Sequence, residues 1–527
     1  MFLRKYFFIL PLSSAVLLWL SFPGGGELWP LLFVALVPLL VQISKSSVKT
    51  AGLCSLFFGL VHFLFLLYWI VIVLGRYGGL HWFVAVLALL LLALYLGSYY
   101  FIFGVLAGYV LSFFPGAVAV WLLPTLWVGL DWVRGILFTG MPWMDLGYGI
   151  WEKTDFIQVA DLLGHHGVTW AIVFTNCLLA ILLTKKQTVA VSIFFLSSFL
   201  FIFGSGAIYS SWRTERLSHV FSEKQIKSVV VGIVQGNIDQ SIKWSASQQK
   251  NTIDGYLALS HQLLADEREL DLLVWPETAL PFYPPKNKFI LPLQALTTQF
   301  DIALLTGAPW YEVIDRKARK VEFFNSALLL DSTGQFSGKY YKTHLVPFGE
   351  YVPLKKFLPF LAPVVEAVGD FTPGMIEQPL VIKDGHAGVL ICFESVFPEL
   401  SRKWVLAGAN MLVNLTNDAW YGKSSAPHHS LAMSVFRAVE TRRSLVRSAN
   451  TGISAFINPL GRVEFRSELF KPYGFAADVV LYEEETFWVR YGYLFGPLCL
   501  FIGVSAALVA VIRGRSRRTA LLRHRKN

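Results

Sequence analysis

The sequence predicts a polytopic α-helical membrane bundle of about eight crossings joined to an α/β soluble domain. Three observations carry that expectation. The 527-residue chain is 55% hydrophobic and only 15% charged, unlike an ordinary soluble domain. Its apolar residues concentrate in runs long enough to cross about 30 Å of hydrocarbon. Between the last two runs lies a stretch, residues 211–487, where short β-branched segments alternate with helical periodicity.

The apolar runs fall at 6–22, 28–43, 52–74, 83–112, 116–133, 166–183, 188–208 and 492–512. Arg4 and Lys5 precede the first, but no small-residue cleavage site follows it, and Pro23-Gly24-Gly25-Gly26 reads as a tight hairpin into the next helix. Lys45 and Lys49, then Lys185 and Lys186, mark short loops that eight crossings place on one side with the N-terminus. Seven Lys/Arg in the last fifteen residues join them, and the positive-inside rule makes that side the cytoplasm. A formal net charge of +10 distributed in this way flanks membrane helices and does not call for nucleic acid. Asp131 and Arg134 read either as a buried polar pair of functional value or, the favoured reading, as a helix end anchored among headgroups. The expected organisation is 1–210 as N-terminal membrane helices, 211–487 as a domain outside the cytoplasm, and 488–527 as a final helix with a basic cytoplasmic tail.

In the soluble stretch, 228–234, 272–275, 302–305 and 411–414 read as strands, while 246–264 and 428–443 carry apolar positions at helical spacing. No GxGxxG, P-loop, zinc-spaced Cys/His set or HExxH occurs, so the motifs give no support for nucleotide or metal chemistry.

Three ionisable positions each follow or interrupt an apolar strand-like segment: Glu277 after Val274-Trp275-Pro276, Lys342 within Lys339-Tyr340-Tyr341-Lys342-Thr343-His344, and Cys392 after Ala387-Gly388-Val389-Leu390-Ile391. Cys392 is the only cysteine in residues 211–487, so in an oxidising compartment it would stand as an unpaired thiol. A free thiol is only a few per cent thiolate at neutral pH, whereas a carboxylate can take its proton and an ammonium can stabilise thiolate and oxyanion. Taken singly, each residue also has an ordinary structural explanation: a turn carboxylate, a surface lysine, a small core cysteine.

Together the strings resemble the carbon–nitrogen hydrolase (nitrilase) superfamily, whose triad is Glu, Lys and Cys in this chain order. The closer wording resembles the apolipoprotein N-acyltransferase family. It lies in Val234-Gln235-Gly236-Asn237-Ile238, Trp275-Pro276-Glu277-Thr278, Leu345-Val346-Pro347-Phe348-Gly349-Glu350-Tyr351-Val352-Pro353, Cys392-Phe393-Glu394, Thr416-Asn417-Asp418-Ala419-Trp420-Tyr421-Gly422 and Arg447-Ser448-Ala449-Asn450-Thr451-Gly452. Arg134-Gly135 and Pro142-Trp143 extend the resemblance into the membrane part. Phe393 departs from it, since Tyr is common there.

The resemblance implies a nitrilase-like α-β-β-α sandwich set on a helix bundle. It also implies transfer of an acyl chain from a phospholipid to the α-amino group of a diacylglyceryl-modified N-terminal cysteine of an apolipoprotein. Glu277 would be the general base, Cys392 the nucleophile that forms a thioester, and Lys342 the oxyanion partner. Glu350, Glu394 and Phe393 would support them, and no metal or cofactor is implied. Two apolar stretches beside the triad, Leu280-Pro281-Phe282-Tyr283-Pro284 and 356–365, suit a lipid-facing lid. Phe282, Phe357 and Trp244 are therefore candidate substrate-binding residues. A membrane-tethered amidase with the same triad is the alternative, and a transporter is disfavoured by the sparse intramembrane charge.

Overall fold

The computed structural model describes residues 8–184, 186–222, 226–245, 247–265, 269–285, 287–315, 317, 320–353 and 370–524. The chain forms two compact units. The first comprises Met1–Glu215, Lys423–Ala432 and Arg490–Asn527; the second comprises Arg216–Gly422 and Met433–Val489. The segment Lys423–Ala432 thus belongs with the first unit although the second flanks it in sequence, an interleaving that the apolar pattern does not foreshadow.

In the first unit, six helices among the described residues are long and apolar enough to cross a membrane: Val48–Leu66, Trp82–Phe113, Gly116–Thr139, His165–Thr184, Val189–Ser222 and Gly492–Gly514. The other two expected crossings are shorter. Ile9–Ser21 has 13 residues, about 20 Å at 1.5 Å per residue. The run at 28–43 breaks into a 3-10 turn, Trp29–Phe33, and a helix, Val37–Ser44, each carrying a proline in its first turn. Proline lacks the N–H and clashes with the preceding turn, so it starts a helix where it cannot continue one.

Small residues let these helices approach closely. A Cβ on Gly129 would meet the Leu500 backbone at 2.5 Å, and one on Gly59 would meet the Gly97 Cα at 2.9 Å. Asp131 and Arg134 are buried instead of sitting among headgroups. The Arg134 guanidinium pairs with Asp145 and lies 3.4 Å from Asp131, and His165 Nε2 hydrogen-bonds the second Asp145 oxygen at 2.9 Å. One buried carboxylate therefore ties the end of the third long helix to the start of the fourth.

The second unit contains two six-stranded sheets. The first is ordered β12-β1-β2-β3-β4-β5, with β1 Ser228–Gln235, β2 Leu272–Val274, β3 Ala303–Asp315, β4 Lys320–Leu330, β5 Phe336–Tyr341 and β12 Tyr473–Val480. The second is ordered β11-β10-β9-β8-β7-β6, with β6 Leu380–Ile382, β7 Gly385–Ile391, β8 Met411–Thr416, β9 Ser444–Ala449, β10 Ala455–Ile457 and β11 Val463–Arg466. The central strands β1, β2 and β3 are parallel, as are β7, β8 and β9, while antiparallel strands close both edges.

Helix Gln249–Leu264 covers the first sheet, where Ile253, Tyr256 and Leu263 join Val234, Leu273 and Trp275 in one apolar core. Helix Pro398–Leu406 covers the second; a Cβ on Gly388 of β7 would meet Trp404 at 2.7 Å. The sheets meet through Ser448, whose hydroxyl donates to the Val274 carbonyl at 3.3 Å, and through Gln235, whose Oε1 accepts from Ser454 and Ser467 at 2.6 and 2.8 Å. This is the two-sheet nitrilase-like arrangement that the resemblance implied. Strands buried on both faces explain why the segments read as continuous apolar runs.

Candidate active site

Parallel strands end on one edge of their sheets, and that edge collects the chemistry. Cys392 follows the last residue of β7 and adopts φ +53°, the left-handed region that non-glycine residues rarely enter. The chain then turns into the short 3-10 segment Cys392–Val396. Glu394 fixes that turn. Its Oε2 accepts from the Ile391 N–H at 2.7 Å, and its Oε1 accepts from Thr343 N–H at 2.7 Å, His344 N–H at 3.0 Å and the Tyr340 hydroxyl at 2.8 Å. One buried carboxylate thereby joins the nucleophile turn to the segment that carries Lys342. Burial pushes its carboxyl up to about 7, against the four donors that favour the charge.

Glu277 stands in the turn after β2, where Thr278 also adopts φ +50°. That turn lies against Gly307 of β3, where a Cβ would come within 2.4 Å of the Thr278 nitrogen; only glycine permits the approach. The Glu277 Oε1 accepts from Asn325 Nδ2 at 2.8 Å and lies 3.8 Å from Lys342 Nζ. The same Asn325 nitrogen donates to Glu350 Oε1 at 2.7 Å, and Lys342 Nζ donates to Glu350 at 2.9 Å. Glu350 in turn accepts from Val346 N–H at 2.8 Å, closing its own loop. Lys342 is 1% exposed. Desolvation works against its charge, but Glu350 and then Glu277 outweigh it and hold its pKa above the ordinary lysine value.

The Cys392 thiol is pushed up to about 12, first by burial and then by the Glu277 charge; Lys342 and a hydrogen bond with Thr416 only partly offset this. It therefore rests as a thiol and needs a base as it attacks.

The structure brings Glu277, Lys342, Cys392, Glu350 and Glu394 into one network. Phe393 is buried beside them, its ring edge-on to Phe397 at 5.0 Å, which gives this position a packing role without a hydroxyl. Trp244 is exposed at 52%. Phe282, expected on a lipid-facing lid, is instead buried in the core of the first sheet against Phe289, so it offers no surface to a ligand. Phe357 lies outside the described residues.

Two residues that sequence reasoning missed belong to the network. Asn325 interrupts the apolar face of β4, and an amide in a buried strand was the available signal. Lys243 is fully buried, and its Nζ donates to the Glu277 carbonyl at 3.2 Å.

Residues 14–178 match the family described as apolipoprotein N-acyltransferase N-terminal domain, and residues 230–469 match carbon-nitrogen hydrolase. The chain is 37% identical over 510 residues to the apolipoprotein N-acyltransferase of Geobacter metallireducens, covering 96% of this chain and 95% of that protein. It is 32% identical over 483 residues to the protein of the same name from Methylococcus capsulatus, covering 86% of each. Among solved structures, Saccharomyces cerevisiae Nit3, a member of branch 10 of the nitrilase superfamily, is 18% identical with a TM-score of 0.38, covering 49% of this chain and 92% of that one.

Proposed function

The chain belongs to the apolipoprotein N-acyltransferase family and is an acyltransferase of lipoprotein maturation; we propose that it works by ping-pong transfer through a thioester on Cys392. The donor is a phospholipid and the acceptor is the α-amino group of a diacylglyceryl-modified N-terminal cysteine of an apolipoprotein. The observation that carries this reading is the placement of Glu277 and Lys342, 3.8 Å from each other, where both act on the partly exposed Cys392 thiol.

Glu277 takes the Cys392 proton as sulfur attacks the phospholipid ester carbonyl. Lys342 and a backbone N–H near residue 393 stabilise the oxyanion, and Glu277 returns the proton to the departing lysophospholipid oxygen. The acceptor amine then attacks the thioester. Glu277 takes its proton and passes it to the leaving thiolate, which restores the enzyme. Glu350 holds Lys342 by a direct hydrogen bond, and Glu394 holds the nucleophile turn. Trp244 contributes to the lipid-facing surface. Each step balances with these side chains alone, and the pathway uses no metal or cofactor.

The reading places 211–487 on the periplasmic face of a bacterial inner membrane, with both termini cytoplasmic. Five of the long helices begin before residue 216 and one begins after residue 490. If the two shorter helices cross as a pair, the number before the catalytic part rises from five to seven and stays odd. Its side of the membrane therefore follows from the short-loop charges in either case. An enzymatic reporter fused after Asn527 is expected to be active only in the cytoplasm.

Incubation with acyl-labelled phospholipid is expected to trap a hydroxylamine-sensitive acyl group on Cys392, and none on Cys392→Ser. Absence of label from the wild-type protein would sink the thioester pathway.

A further inference from the structure

Lys243 is a buried cation that the proton transfers above leave unused. It is 0% exposed, its Nζ has the Glu277 carbonyl as its hydrogen-bond acceptor, and no carboxylate pairs with it among the described residues. A buried ammonium without a counter-ion is costly, so the fold must hold it in place for a reason.

The holding is done by three strings that the triad does not need. Asn237 N–H donates to the Asn450 carbonyl at 2.9 Å, and Ile238 N–H donates to Asn450 Oδ1 at 2.9 Å. Asn450 Nδ2 returns to the Ile238 carbonyl at 2.8 Å and reaches Asn417 Oδ1 at 3.0 Å, while Asn417 Nδ2 donates to Gln240 Oε1 at 2.7 Å. Asn450 follows β9 and Asn417 follows β8, so two strand ends of one sheet pin a loop that leaves the other.

The charge count says what that loop delivers. Glu277 and Glu350 converge on one Asn325 nitrogen and share one Lys342 ammonium. Counted formally, two carboxylates set against one ammonium leave the cluster one positive charge short. The ionisable groups acting on Lys243 are Glu277, from the turn after β2, and Cys392, from the end of β7; Lys342, Cys392 and Tyr421 face Glu277 in turn, and Glu350 shares its Asn325 donor. We propose that Lys243 is a positioning residue for the general base: it holds the Glu277 turn by its carbonyl and supplies the second positive charge that balances the Glu277–Glu350 pair. Burial draws Lys243 down to about 8 while Glu277 and Cys392 oppose the shift, so its charge is present on the acidic side of neutrality, where the limb is read.

The proposal rests on Cys392 acylation, so the test reads that step in the full-length protein with acyl-labelled phospholipid across the pH range. Loss of the Lys243 charge takes one cation away from the Glu277–Glu350 cluster, and the acidic limb of the rate profile is then expected to move to higher pH. Lys243→Gln, which keeps a donor for the Glu277 carbonyl but no charge, is expected to raise the limb midpoint by about one unit and to slow acylation about tenfold below it. Lys243→Arg keeps the charge and is expected to retain the wild-type midpoint. Lys243→Gln/Glu350→Gln removes one carboxylate as well and is expected to bring the midpoint back, whatever its maximal rate. An unchanged midpoint in Lys243→Gln, or an Arg variant shifted as far as the Gln variant, overturns the proposal. Failure of the wild-type protein to acylate at any pH would instead overturn the thioester pathway itself.

Discussion

The Asn325 side-chain nitrogen donates to Glu277 Oε1 at 2.8 Å, and one atom thereby orients the base while also reaching Glu350. Hydrogen bonds to charged groups are worth about 1.5–3 kcal/mol each. Asn325→Leu is expected to slow Cys392 acylation by about ten- to a hundredfold, an effect of that size on the barrier. Asn325→Asp should be worse, because it places a third carboxylate beside the other two. Quenched single-turnover labelling measures both.

Glu277→Gln is expected to lower acyl-enzyme formation near pH 7 by at least about a hundredfold, the usual contribution of a positioned base. The substitution removes the Glu277 charge that helps raise the thiol, but burial still raises it, so the residual rate should climb with pH above neutrality. The direction follows from the thiolate, which is the reactive form and becomes more abundant as pH rises. A residual rate that is flat with pH would show that another base had replaced Glu277.

Lys342→Met leaves Glu350 and Glu277 buried without their shared cation, a change that costs about 3–5 kcal/mol. The thermal midpoint in detergent should fall by several degrees. Adding Glu350→Gln should recover part of that stability and none of the acylation, because the oxyanion partner is still missing. Recovery of both would remove Lys342 from the chemistry.

In the first unit, Asp145→Asn strips the buried Arg134 of its closest charge partner and should destabilise by about 3 kcal/mol or more. Asp131→Asn should cost less, since its contact with Arg134 is 3.4 Å. Thermal unfolding of the two variants side by side reads the difference.

Glu277 and Cys392 were legible because each follows an apolar run that burial keeps continuous, whereas Lys342 follows the largely exposed strand β5 and was legible through its motif. Asn325 was hidden by its neighbours: Phe323-Phe324 and Ala327-Leu328 make β4 read as an ordinary apolar strand. Lys243 was hidden because its loop has no periodicity and the residues that pin that loop at 237–240, Asn417 and Asn450, lie far along the chain. Phe282 shows the converse limit, since an apolar segment beside a catalytic residue has the same composition whether it plugs a core or faces a lipid. Eight runs are legible in the sequence but six long apolar helices stand among the described residues, for a related reason. Hydropathy sums residues over 28–43, but Pro30 and Pro38 decide where its helical turns begin.

The segment Lys423–Ala432 carries a practical consequence for anyone dividing the gene. Its Ser425 N–H donates to the Tyr68 hydroxyl at 3.1 Å, and His429 Nδ1 accepts from Trp143 Nε1 at 3.2 Å. A recombinant fragment running from 216 to 489 would carry these ten residues without Tyr68 or Trp143, exposing groups that the intact chain keeps bonded. Neither half is a contiguous stretch of codons. Split expression, domain swaps between relatives and antigen fragments should therefore include a replacement for that short insert as well as cuts at the two obvious borders.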